Sequence, residues 1–197
     1  MNRHTIKNVS VFDFDGTIYD GDATLDFYKF ILKKYPRLTV FLPQQVLALL
    51  RYKIGLIDVT KFKEMFLRPL SSLENADSET LLFWEKNESK IKPWFKDLKK
   101  PDDIIITASP EFLIGPVANK YGVALIGTIF DLKTGTIIGN NCRGEEKVSR
   151  LRNQLPDISI GALYTDDLKH DGPLASISNQ TYLVTKDVIE PVNLGKV

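Results

Sequence analysis

At 197 residues and 43% hydrophobic content, the chain can bury a core as one domain, or as a core carrying a smaller inserted unit. Its 26 basic and 25 acidic residues leave a net charge of +1, which gives no global electrostatic reason to expect a nucleic-acid partner. A single cysteine, Cys142, excludes an intramolecular disulfide framework and a Cys-rich zinc site, and two histidines, His4 and His170, are too few for most imidazole metal centres.

Residues 1–8 lack the apolar stretch of a secretory signal, so a cytoplasmic, reducing setting is expected. Residues 8–14 form a β-rich run that ends in Asp-Gly, which predicts a buried strand with its polar residues at the C-terminal tip. From 24 to about 96 the periodicity turns helical, and Pro36, Pro43, Pro69 and Pro93 mark helix boundaries, with a further helix starting at Leu81. A β-branched run at 104–107 predicts a second buried strand. A helix over 111–121 closes at Gly122, and a short strand starts at Val123. Lys133-Thr134-Gly135 between two apolar pieces predicts a hairpin. A helix over 145–155, a strand over 158–164 and a last strand at 181–184 complete the pattern, ahead of a tail with little periodicity.

Strands alternating with helices predict an α/β fold, a Rossmann-like doubly wound parallel sheet that binds ligands beyond the carboxyl ends of its strands. Asp13, Thr107 and Asp166 all fall at such ends, so three distant segments converge on one crevice. Asp13 and Asp15 stand two residues apart at a strand tip, and like charges that close call for a cation. A hard divalent ion such as magnesium, held by oxygen ligands, would answer that need and receive phosphate oxygens as well. An Asp-rich turn capping a helix explains the same pattern, and on the pattern alone the two readings weigh about equally.

Asp13-Phe14-Asp15-Gly16-Thr17 resembles the signature of the haloacid dehalogenase superfamily, in its phosphoserine-phosphatase-like branch. The resemblance implies that Asp13 attacks phosphorus to form an aspartyl-phosphate, and that Asp15 protonates the leaving group and then activates water. Asp15 also argues against dehalogenation, since dehalogenase members lack an acid there. Residues 105–110 resemble the second motif, which assigns Thr107 and the backbone around Ala108 and Ser109 to holding the phosphoryl group. Capping the helix near Pro110 is the other role open to these side chains, and Ser109 suits it better than Thr107.

Gly144-Glu145-Glu146-Lys147 resembles the third motif and assigns Lys147 to neutralising charge between nucleophile and phosphate; by itself such a lysine reads as a solvated surface residue. Residues 164–171 resemble the fourth motif, whose acids bind magnesium. Two registers are open, Asp166 with Asp171 or Asp167 with Asp171, and the first is favoured. The implied metal-binding set is Asp13, Asp15, Asp166, Asp167 and Asp171, with His170 outside it.

The resemblance covers residues 11–20 and 104–174 and implies a catalytic core of 1–20 and 97–197 with a helical cap, 21–96, inserted between its parts. Within the cap, Arg68 is a candidate anion binder or else a surface arginine. Residues 40–57 carry an apolar face with Arg51 and Lys53 embedded, which suits a lipid interface, though packing against the core ranks higher. The expected activity is magnesium-dependent hydrolysis of a small phosphorylated metabolite resembling phosphoserine. The alternatives are a phospholipid head group, as for the bacterial phosphatidylglycerophosphate phosphatases, transfer of the phosphoryl group to an alcohol, or a non-catalytic binding module.

Overall fold

The computed structural model describes residues 7–193; Met1 to Ile6, with His4, and Leu194 to Val197 lie outside the described residues. Strand β1 (Lys7–Phe12) is short and apolar at its core positions, and it sits centrally in a six-stranded sheet. The sheet contains β2 (Ile104–Pro110), β3 (Ala124–Thr128), β6 (Ile158–Thr165), β7 (Ser178–Thr185) and β8 (Val188–Val192). Their order is β3-β2-β1-β6-β7-β8, parallel throughout except for β8, which pairs antiparallel with β7. Strands β4 (Phe130–Asp131) and β5 (Thr136–Ile137) form the expected hairpin around Gly135, whose φ of +69° suits a residue without a Cβ.

Alternating side chains of the sheet feed two cores. Phe12 and Ile105 point into one, with Leu113 and Ile114 of helix α6 (Glu111–Tyr121). Val11, Ile104, Ile106 and Leu163 point into the other, with Leu151 of α7 (Glu145–Gln154) and Leu174 of α8 (Leu168–Ser176). Helices therefore cover both faces, as apolar side chains on both sides of the central strands require.

Between β1 and β2 come α1 (Ala23–Lys34), α2 (Leu42–Lys53), α3 (Val59–Leu67), α4 (Ala76–Asn87) and α5 (Pro93–Leu98). Asp22, Asp58 and Asn75 cap α1, α3 and α4 through their side chains, while Pro43 and Pro93 occupy first-turn positions where no amide hydrogen is needed.

Several boundaries differ from expectation. β1 ends at Phe12 rather than Phe14, because the chain turns at once into a loop in which the Ile18 and Tyr19 amides both donate to the Phe14 carbonyl. α4 begins at Ala76, before its aromatic residues, since Asn75 supplies the cap. Asp167 caps α8, a helix with Pro173 inside it that periodicity does not reveal. The stretch after β7 is a strand: Glu190 and Val192 pair with Leu183 and Thr181 at the sheet edge, where Pro191 is tolerated because an edge strand has amides to spare.

Candidate active site

The crevice lies beyond the carboxyl ends of β1 and β6, where the strand order reverses direction. A cavity of about 680 Å³ opens there, lined on one side by Asp13, Asp15, Ser109, Lys147 and Asp166. Asp13 directly follows β1, and its amide donates to the Tyr164 carbonyl of β6, continuing the sheet pairing by one residue.

Lys147 stands in the first turn of α7, with 3% of its side chain exposed, and its ammonium lies 2.7 Å from both Asp13 Oδ1 and Asp171 Oδ1. Two buried carboxylates facing one amine raise its pKa far above the usual lysine range against the effect of burial. Burial pushes the Asp13 carboxyl up to about 7, opposed by Lys147 and reinforced by Asp171. The second oxygen of Asp171 accepts from Thr165 Oγ1 at 2.8 Å, so both its oxygens are engaged.

Asp15 is fastened by the Ala23 amide at 2.7 Å and by the Ser109 hydroxyl, which is itself 2.8 Å from Thr24 Oγ1. Burial raises this carboxyl to about 6, helped by the Asp22 charge and opposed by those two hydrogen bonds. Ser109 therefore serves Asp15 and does not cap α6, which starts at Glu111 after Pro110 in the cap position and has no side-chain cap. Thr107 is fully buried, lies outside the cavity wall and accepts from the Ser109 amide at 3.0 Å, so the β2 tip presents Ala108 and Ser109 to the cavity.

Asp166 is held by Thr17, whose hydroxyl donates to Oδ1 at 3.0 Å and accepts from the Asp166 amide at 2.9 Å. Gly16 makes room for it: a Cβ there would lie 2.1 Å from Asp166 Oδ2, and its φ of +73° is in the left-handed region. Buried Lys92 donates to the Gly16 carbonyl at 2.7 Å and so pins the same loop from behind.

Asp167 also lines the cavity, with His170 and Asp171. Its carboxylate caps α8 and meets His170 Nδ1, while His170 Nε2 faces the Arg143 guanidinium at 2.7 Å. An arginine only donates, so Nε2 accepts and the Nδ1 proton points at Asp167.

The acidic set is composed of oxygen donors alone, which matches a hard cation. Among the described residues no three His, Cys, Asp or Glu side chains group closely enough to hold a metal by themselves. Both oxygens of Asp15, Asp167 and Asp171 are engaged in the contacts above, whereas Asp13 and Asp166 are held through Oδ1 alone, which leaves an Oδ2 on each for an ion. That fits magnesium, which commonly takes one or two protein carboxylates and completes its shell with water and phosphate oxygens.

The opposite wall belongs to α2 and α3: Leu42, Val46, Leu49, Val59, Phe62 and Phe66 face the cavity, with Lys63 among them. Lys63 donates to the Ala108 carbonyl at 2.5 Å, and burial pulls its pKa down to about 8 against the pull of Asp15 and Asp22. Sequence reasoning missed Lys63 and Lys92 because single cations carry no periodic signal; Arg143 lies in Asn141-Cys142-Arg143-Gly144, which also resembles the family branch, but the resemblance gave it no role. Arg68 borders a separate cavity of about 330 Å³ with Phe41, Met65 and Pro69, so it takes no part in this site.

A family profile described as haloacid dehalogenase-like hydrolase matches residues 10–176. A histidinol-phosphatase of Neisseria meningitidis serogroup C is 26% identical over 204 residues, covering 92% of this chain and 92% of that protein. Among solved structures, a Bordetella pertussis Tohama I protein of unknown function superposes with a TM-score of 0.75 at 20% identity, over 90% of this chain and 89% of that one. A phosphoserine phosphohydrolase-like protein of Francisella tularensis gives a TM-score of 0.59 at 17% identity, over 92% and 88%. These two likenesses concern the fold, whereas the profile spans the segments that supply Asp13, Asp15, Ser109, Lys147 and Asp166. The chain belongs to the haloacid dehalogenase-like hydrolases.

Proposed function

We propose that the chain is a magnesium-dependent phosphomonoester hydrolase that works through an aspartyl-phosphate at Asp13. The observation that carries this reading is the contact between Asp13 and a nearly fully buried ammonium, Lys147, at the floor of a cavity that Asp15 also lines. An Asp13 oxygen attacks phosphorus while the bond to the leaving oxygen breaks, and Asp15 delivers its proton to that oxygen. Asp15 then takes a proton from the water that attacks the phosphoaspartate, which releases inorganic phosphate and restores Asp13. Lys147 offsets charge gathering between nucleophile and phosphoryl group, and Ala108 and Ser109 border the phosphoryl site, with Thr107 shaping that loop from within. Bound magnesium, held by Asp13 and Asp166, would neutralise phosphate oxygens as the phosphorus is approached. Asp171 and Asp167 act behind this pair, the first by orienting Lys147 and the second by orienting His170.

Residues 21–96 serve as a cap over a core of 1–20 and 97–197 on this reading. A small phosphorylated metabolite is the leading substrate class, in keeping with the histidinol-phosphatase relative. A phospholipid head group is the second, and the apolar wall of Leu42, Val46, Leu49, Phe62 and Phe66 favours it.

The test is phosphate release from a panel that includes phosphoserine, histidinol phosphate and phosphatidylglycerophosphate, with magnesium and then with excess chelator. Turnover that chelation stops is expected, and Asp13→Asn should lower it by about a thousandfold or more without changing the fold. Full activity in Asp13→Asn would overturn the mechanism.

A further inference from the structure

Helix α2 carries two apolar stripes. One lines the cavity through Leu42, Val46 and Leu49, and on the side of the helix turned away from the second stripe Gln45 and Ala48 are buried, with Gln45 Nε2 donating to Tyr28 Oη and the Phe66 carbonyl. The other stripe faces outward: Leu47, Leu50 and Ile54 recur at helical spacing and are 47%, 54% and 71% exposed. Leu56, in the turn before α3, and Val40, ahead of α2, extend it at either end with 69% and 70% exposure.

Charge is distributed unevenly around this stripe. From 27 to 57 the chain has no Asp or Glu, yet it has Lys29, Lys33, Lys34, Arg37, Arg51 and Lys53, so the remainder of a nearly neutral chain is net acidic. Lys29 and Lys34 are paired with Asp26 and Glu79. Among the described residues no carboxylate pairs with exposed Lys33, Arg37, Arg51 or Lys53.

We infer that this face docks on the surface of an anionic lipid bilayer, with Leu47, Leu50, Ile54 and Leu56 entering the head-group boundary and Arg51 and Lys53 meeting lipid phosphates. Apolar side chains flanked by unpaired cations complement that surface on both counts. A second copy of the chain would set this basic face against itself, and a nucleic acid would leave the aliphatic stripe in water. No helix among the described residues is long and apolar enough to cross a membrane, so the contact is peripheral.

The experiment is co-sedimentation of the full chain with phosphatidylcholine vesicles, with and without about one-third phosphatidylglycerol, at low and high salt. Binding to the anionic vesicles is expected to exceed that to neutral ones by about tenfold or more and to weaken with salt. Leu50→Glu with Ile54→Glu should remove it, and so should Arg51→Glu with Lys53→Glu. Neither pair lines the cavity, so both variants should hydrolyse soluble p-nitrophenyl phosphate at the wild-type rate, with near-UV circular dichroism confirming the fold. No preference for anionic vesicles, or equal binding by the Leu50/Ile54 variant, would overturn the proposal. A dimer in sedimentation velocity that this variant dissolves would overturn it too, by showing that a second copy covers the face. The vesicle result stands apart from the proposed chemistry, because it is read without turnover.

Discussion

Lys147 faces Asp13 and Asp171 at 2.7 Å from inside the protein, so its charge serves the fold as well as the reaction. Lys147→Met leaves two buried carboxylates with no cation between them. Stability should fall by about 3–5 kcal/mol in urea unfolding, along with loss of turnover. A surface lysine would cost almost nothing, which makes the unfolding midpoint a test of this geometry even before a substrate is known. Gly16 offers a second test. Gly16→Ala meets both a strained φ and Asp166 Oδ2, so Asp166 must move. Turnover should drop by roughly tenfold to a hundredfold, with the magnesium requirement shifting to higher concentration. Asp13 and Asp15 stood out as paired carboxylates at a strand tip, whereas Lys147 and the favoured Asp166 were reached only through motifs that resemble the family's. The engagement of Asp171 with Lys147, and of Asp167 with His170, depends on side-chain directions at a helix start, which spacing does not encode.

At the level of elements, α1 and α4 are joined by Glu79, which is buried and accepts from Lys34 Nζ at 2.7 Å and from Tyr35 Oη at 2.6 Å. Burial raises the Glu79 carboxyl, but those two donors outweigh it and hold it below the ordinary value of 4.5. A carboxyl lowered on folding stabilises the native state above its unfolded pKa and loses that contribution as pH falls through the folded one. Glu79→Gln should therefore be less stable than wild type by about 1–2 kcal/mol at neutral pH, with the gap closing below about 4.5 in urea titrations run at several pH values. Most elements were readable from prolines, caps and apolar runs. β8 was not, because Pro191 and alternating exposure at a sheet edge look like an unstructured tail. α8 was hidden by Gly172 and Pro173, which its packing against β7 and its cap at Asp167 override.

Across the whole molecule, α3 shares with α2 the cavity wall opposite the strand tips. Thr60, Lys63 and Glu64 lie on one face of it and reach core backbone: Thr60 Oγ1 accepts from the Asn141 amide at 3.0 Å, Lys63 donates to Ala108, and Glu64 Oε2 accepts from the Ile137 amide at 3.1 Å. Removing two of these in Thr60→Val with Glu64→Leu, neither of which leaves a side-chain acceptor, should loosen α3 without melting the sheet. Limited proteolysis within 54–67 should speed up about tenfold while the global unfolding midpoint moves little, and KM should rise more than kcat falls. Such coupling between distant segments was beyond sequence reasoning, since a helix face reports what is apolar and not which carbonyl it meets.

The same long reach has a consequence for synthesis. β1 leaves the ribosome ahead of the other described strands, yet Val11 pairs with Ile104 and Lys7 with Ile158. Until β2 and then β6 have been made its two hydrogen-bonding edges lack their partners, and no fragment ending before β6 contains a finished crevice. Nascent chains therefore carry an unpaired apolar strand until its distant partners have been made, the kind of exposed edge that makes folding intermediates prone to aggregate.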